Sequence, residues 1–273
     1  MHMELFQKIV DDLAAMARRH GRKLQTLNLY KDGEPLLNDM LASMIGYAKA
    51  GEVADRVSTT TNGILLNANR VVQLIDAGLD YIRISVPLDD NYWIVKRHCA
   101  FLYHEKTARK APLFVHVKAI GNLMSSREQR RFREDFASIS DFLNLDNLMG
   151  WSGTQGGDFL LGHSVTRGMD GRTKLRARKI CPEPFCRLAI NFNGSVSACC
   201  VDWAMDKSYG NAEAANVEEI WNGEELDRLR ALHARGDRDA NPICKGCHYI
   251  MGLPPTMHLD HYAASVVRMY GWA

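Results

Sequence analysis

No stretch of the 273 residues approaches the roughly eighteen apolar residues of a membrane-spanning helix. The N-terminus, MHMELFQKIVDD, lacks the basic segment followed by an apolar one that marks a secretory signal. These absences point to a cytoplasmic protein without a membrane partner. Charge of one sign is scarce too: the formal net charge is +2, which gives no global pull toward nucleic acid. No self-similarity recurs at a fixed period, so a repeat architecture is excluded. What remains is ordinary globular composition, 46% hydrophobic and 24% charged, in a chain long enough for one or two domains.

Along the first half, helical and strand-like stretches alternate. Leu5, Phe6, Ile9, Val10, Leu13 and Met16 repeat at helical spacing. LQTLNLY (24–30), VSTTTNG (57–63), YIRISV (81–86), LFVHVKAIG (113–121) and FLNLDNLMGW (142–151) read as strands. Between them lie the helical stretches NDMLASMIGYAKAG, NANRVVQLIDAG, NYWIVKRHCAFLYHEKTARK and SREQRRFREDFASIS. A rhythm of about 25–30 residues per strand–helix pair predicts βαβ units and a parallel sheet. The series opens on a helix, whereas a βα barrel normally opens on a strand, so a first strand is expected to be missing. After Trp151 the periodicity fades. Residues 152–180 are rich in Gly and Arg and are expected to form a linker or loop-rich crossing. The expected domains are therefore 1–151 and 181–273.

The second half is distinguished by cysteine. CPEPFCRLAINFNGSVSACC (181–200) holds four of the chain's seven, and ICKGCH (243–248) adds a CxxC knuckle. In a reducing compartment stable disulfides are rare, and an odd count leaves one thiol over. Asn193-Gly194 signals a two-residue hairpin turn that returns Cys199 and Cys200 toward Cys181. Adjacent strand residues face opposite sides, so only one of the two is expected to ligate. In that register Cys199 shares an apolar face with Leu188, Ile190 and Phe192 and is the expected ligand. Cys186 and Cys200 are then structural thiols, and Cys99 is a small core residue. Cys181, Cys199, Cys244 and Cys247 form a plausible four-thiolate metal site. Zinc and iron–sulfur remain open at this point, as does the bland alternative of unrelated buried thiols.

The same residues carry a resemblance. CPEPFCRLAINFNGSVSACC, followed by YGNAEAANVEEIWNGEELDRLRALH and CKGC, resembles the auxiliary-cluster region of radical S-adenosylmethionine (radical SAM) enzymes, in the single-cluster form of the SPASM domain called Twitch. The seventeen residues between Cys181 and Cys199 (182–198) match that pattern, as do Gly210-Asn211, EIWNG (219–223) and Leu229-Arg230. Upstream, KDGEPLL resembles the GGEPLL motif that cradles the amino group of SAM, and TTTNG and IRISV resemble the next pocket motifs.

The resemblance implies a partial (β/α)6 barrel without its first strand, followed by a small α+β auxiliary domain with a β-hairpin. It implies one [4Fe-4S] cluster on Cys181, Cys199, Cys244 and Cys247. It also implies SAM contacts at Gly33, Glu34, Pro35, Thr61, Asn62 and Ser85, with Lys118 a weaker candidate. The implied activity is oxidoreductase chemistry that begins with C–H abstraction. The implied partners are a sugar, aminocyclitol or peptide substrate and an electron-donor protein. Two departures stand out. Pro87 follows IRISV where relatives often have an acidic residue and glycine. More important, CxxxCxxC, which holds the SAM-cleaving cluster, occurs nowhere in the sequence. The expectation is an N-terminally shortened enzyme, because the SAM-pocket motifs persist, with SAM binding weak. The alternatives are a second polypeptide that supplies the motif, a diverged electron-transfer or binding protein, and a zinc-stabilised interaction module. No catalytic residue is assigned.

Overall fold

The computed structural model describes residues 1–150 and 160–272. Trp151 and residues 152–159 of the expected linker lie outside the described residues. The chain divides into two compact units, His2–Asp146 and Asn147–Ala273. Among the described residues no helix is long and apolar enough to cross a membrane.

In the first unit, five parallel strands stand in chain order, β1 (Leu27–Asn28), β2 (Val57–Thr61), β3 (Tyr81–Ser85), β4 (Phe114–Ile120) and β5 (Phe142–Asp146). Helix α1 (Met3–His20) precedes them, and α2 (Leu41–Ala50), α3 (Ala68–Asp76), α4 (Tyr92–Ala108) and α5 (Ser126–Phe136) make the crossovers. Parallel strands need such crossovers, which is why the sequence alternates as it does. This is the α/β architecture of a partial barrel. β1 is shorter than its apolar run: Leu24 makes only an isolated bridge to Ala54 before the strand begins.

One sheet face is apolar and buried by the helices. Val57, Ile82, Ile84, Val115 and Val117 are all at most 1% exposed. Leu5, Phe6, Ile9 and Val10 of α1 are buried, as are Val95, Cys99 and Leu102 of α4 and Phe132 and Phe136 of α5. Each such side chain contributes on the order of 2 kcal/mol by leaving water. Helix ends are set locally. Gly21 takes the left-handed conformation that stops α1, and Ser125 with Glu128 closes a reciprocal capping box on α5.

Strand starts are fixed by one device used twice. Asp80, just before β3, accepts the Val57 N–H at 2.7 Å and the Lys49 ammonium at 2.7 Å. Asp141, just before β5, accepts the Val115 N–H at 2.7 Å and pairs with Lys106. Each carboxylate thus ties a donor at the start of the neighbouring strand to a helix.

The second unit is built from short elements. These are α6 (Glu183–Cys186), the two-stranded β6 (Ala189–Ile190) and β7 (Val196–Ser197), α7 (Val217–Trp221), α8 (Glu224–Arg235) and α9 (Ala263–Tyr270). The hairpin differs from the sequence expectation. Ala189 pairs with Ser197 and Ile190 with Val196, so Phe192, Asn193 and Gly194 form a three-residue loop, not a two-residue turn. A two-residue type I′ turn needs positive φ at both central residues. Gly194 has φ +82°, but Asn193 is not among the positive-φ residues. Its side-chain oxygen instead accepts the Ser195 N–H and hydroxyl. The register shifts by one, and Cys199 and Cys200 fall on a bend and turn beyond β7. The apolar face with Leu188, Ile190 and Phe192 therefore does not select between the two cysteines.

Candidate functional site

Three chain segments bring thiols together in the second unit. Cys181 follows the buried Ile180, whose N–H, like that of Lys179, is held by Asp260. Cys199 sits on the bend after β7, where Asp202 accepts the Ala198 N–H at 3.3 Å. Cys244 and Cys247 lie on the knuckle Cys244-Lys245-Gly246-Cys247, with Gly246 at φ +67°. Asn241 shapes that knuckle by accepting the Ile243 N–H at 3.0 Å and donating to the Tyr209 hydroxyl at 2.6 Å. Arg238 donates to the Cys244 carbonyl at 2.6 Å.

Burial dominates the electrostatics of all four thiols. It raises Cys181, with Cys244 and Cys247 adding to the effect. It raises Cys199 well above the ordinary thiol range, with Cys200, Cys181 and Cys244 contributing. It pushes Cys244 up to about 12, with Cys247 next in effect. It raises Cys247, against the opposing pull of nearby Arg238. Cys181 thus lies within electrostatic reach of Cys244 and Cys247, and Cys199 within reach of Cys200, Cys181 and Cys244. Cys186 stands apart: it is exposed, and after burial Glu183 and Arg187 govern its thiol. Cys99 is buried alone in the other unit.

The remaining phrases of the motif build the walls. Arg230 of α8, 3% exposed, donates to the Pro184 carbonyl at 2.9 Å and the Trp221 carbonyl at 2.7 Å. Its guanidinium lies over the Trp221 ring at 4.2 Å. It thereby ties EIWNG to the segment that follows Cys181. Gly210 (φ +153°) has no room for a side chain, because a Cβ would lie 2.7 Å from Ile220. This close approach lets its carbonyl take the Val196 N–H, adding a third segment to the hairpin. His233, also on α8, is fully buried and touches two cysteine segments. Nothing in the local sequence pattern marks it.

In the first unit, Gly33 (φ +78°) turns the chain after β1. Glu34 then caps a short 3-10 turn, Pro35–Leu37. Its carboxylate accepts the Leu36 N–H at 3.0 Å, the Thr61 hydroxyl at 2.6 Å and the Asn62 N–H at 2.8 Å. Glu34, Thr61 and Asn62 are thus brought together. Oε1 takes two of these bonds and Oε2 one, so one acceptor direction of Oε2 remains for a further donor. Ser85 ends β3, paired in register with Lys118.

Sequence reading missed a hydrogen-bonded row on the sheet face opposite the helix-covered one. His116 Nδ1 accepts from Arg83 at 3.2 Å and from the Tyr81 hydroxyl at 2.5 Å. Arg83 can only donate, so the neutral ring carries its proton on Nε2 and donates it to Asn144 Oδ1. Asn144 donates to Asp146 at 2.6 Å, and Lys118 pairs with Asp146 at 2.6 Å. The available signal was polar residues at every second position of three consecutive strands.

Residues 181–248 match the SPASM iron-sulfur cluster-binding domain. A 74-residue segment is 35% identical to the GTP 3′,8-cyclase of Chlorobaculum tepidum. That match covers 27% of this chain and only 21% of the cyclase, about a fifth of its length. The fold resembles that of BtrN in complex with AdoMet and 2-DOIA, with a TM-score of 0.57 and 15% identity over 90% of this chain and 80% of that one. It also resembles anSMEcpe with bound AdoMet and a Cp18Cys peptide, with a TM-score of 0.61 and 14% identity over 100% of this chain and 89% of that one. The chain thus joins an α/β fold shared with these structures to a segment that matches an iron-sulfur cluster-binding domain. The chain is related to the radical SAM enzymes that carry a C-terminal SPASM domain, and its sequence contains no CxxxCxxC.

Proposed function

We propose that this chain is an iron–sulfur oxidoreductase of the radical SAM/SPASM type, whose second unit holds one [4Fe-4S] cluster through Cys181, Cys199, Cys244 and Cys247. The observation that supports this reading is that residues 181–248, which match the SPASM iron-sulfur cluster-binding domain, contain all four cysteines, with His233 bridging the Cys181 and Cys244 segments. A soft, all-thiolate donor set fits iron–sulfur ligation. When bound, such a cluster supplies one-electron transfer. Arg238, which donates to the Cys244 carbonyl, would stand beside it as a compensating cation. A zinc site fits less well. Four-cysteine zinc sites usually present two CxxC knuckles, and this sequence has one, formed by Cys244 and Cys247. Anaerobic reconstitution tests the reading. About four irons and matching sulfide per chain are expected, whereas stoichiometric zinc without sulfide would overturn it.

The proposed SAM contacts are Gly33, Glu34, Pro35, Thr61, Asn62 and Ser85. The free acceptor direction on Glu34 suits an ammonium. The polar row from Arg83 to Lys118 suits a hydroxyl- or amide-rich substrate, such as a sugar, an aminocyclitol or a peptide, and an electron-donor protein completes the partners. We place the protein in a reducing cytoplasm on its thiol content. A second reading, an electron-transfer or binding protein that does not cleave SAM, is favoured by the missing CxxxCxxC. Incubation of the reconstituted chain with SAM and dithionite separates the two. On the second reading, and for these residues alone on the first, no 5′-deoxyadenosine forms. A CxxxCxxC segment added to the chain restores cleavage only on the first.

A further inference from the structure

We infer that His233 is the residue that tunes the electron affinity of the second unit's cluster, through an Nε2–H···S hydrogen bond to Cys244. The inference rests on the four-cysteine cluster reading. The geometry is specific at both ring nitrogens. Nδ1 lies 3.2 Å from the backbone nitrogen of Cys181, which can only donate, so Nδ1 accepts. The proton of the neutral ring is then on Nε2, which lies 3.4 Å from the Cys244 sulfur. The ring is 0% exposed, so no water competes for that proton. One imidazole thus orients two ligand segments and presents its single N–H to one ligand sulfur.

The sign of the effect follows from charge. Reduction places more negative charge on the cluster and its sulfurs, so an N–H···S bond strengthens on reduction and raises the potential. Arg238 also biases the site toward the reduced state, through the Cys244 carbonyl. A test must therefore leave Arg238 in place and change only the ring N–H. His233 is a positioning residue: it acts through Cys244.

The test compares wild type, His233→Leu and His233→Gln in redox titrations of the reconstituted chain followed by EPR. His233→Leu should lower the midpoint by about 59 mV, a tenfold shift in the oxidised-to-reduced ratio for one electron. His233→Gln, which keeps a side-chain N–H, should recover most of that shift. An unchanged midpoint in His233→Leu with four irons intact would overturn the inference, and so would an equal fall in both variants. If His233→Leu fails to hold iron, pulsed EPR of the reduced His248→Gln chain labelled with ¹⁵N-histidine decides, because His248 adjoins Cys247 and would otherwise contribute its own coupling. A ¹⁵N coupling is expected, and its absence would overturn the inference. A wild-type chain that takes up no iron–sulfur cluster would sink the cluster reading instead.

Discussion

The Thr61 hydroxyl donates to Glu34 across 2.6 Å, tying the end of β2 to the turn after β1. The same carboxylate holds the Asn62 and Leu36 N–H groups. Glu34 is therefore a structural clip as well as the residue expected to meet an ammonium. Glu34→Ala should cost about 2 kcal/mol, because hydrogen bonds to a charged acceptor each contribute about 1.5–3 kcal/mol and part of that is recovered from water. Urea unfolding measures the loss. Thr61→Val should cost less, since two of the three bonds survive.

Cysteine substitutions discriminate within the adjacent pair. Cys199 is coupled to Cys200 first and then to Cys181 and Cys244, and Cys186 to none of the four, so it is the seventeen-residue spacing from Cys181 that selects Cys199 over Cys200. Cys199→Ser should abolish the cluster's visible absorbance, and Cys186→Ser and Cys200→Ser should retain most of it. Iron content that survives Cys199→Ser but not Cys200→Ser would reverse the ligand assignment.

Gly63 is the tightest point of the TTTNG turn. It has φ +76°, and a Cβ there would lie 2.9 Å from Val95 and 3.0 Å from Ile84. Strain and overpacking add, so Gly63→Ala should lower stability by about 2 kcal/mol. A Cβ on Gly46 would meet nothing within 4 Å, so Gly46→Ala is the matched control, expected to be neutral or slightly stabilising in mid-helix.

Acid should weaken the first unit through His116. Burial is the main cause holding its pKa below the ordinary histidine value. The unfolded chain therefore takes up the proton first, at about pH 6.5. The stability from keeping this ring neutral is fully present above that pH and is lost as the pH falls below it. Urea midpoints of wild type should decline more steeply from pH 7 to 5 than those of His116→Gln. Parallel slopes would assign the acid sensitivity to other groups.

Local signals determined the order of elements. Apolar spacing in α1, β-branched runs in β2 and β4, and the Ser125–Glu128 capping pair all act within a few residues. The five strands and their crossover helices were legible for that reason. The cysteine spacing likewise pointed to a four-thiolate site. Tertiary structure alone decided the rest. The hairpin, with its three-residue loop, is paired from outside by the segment 209–212, which bonds Val196 and Gly194. The polar row exists because parallel pairing sets His116 beside Arg83 and Lys118 beside Asn144, partners far apart in sequence. His233 acquires its role only where α8 meets the Cys181 and Cys244 segments. A periodic pattern reports which face of an element is buried. It carries no information about which distant polar group will lie within hydrogen-bond reach, because packing of the whole unit sets that distance.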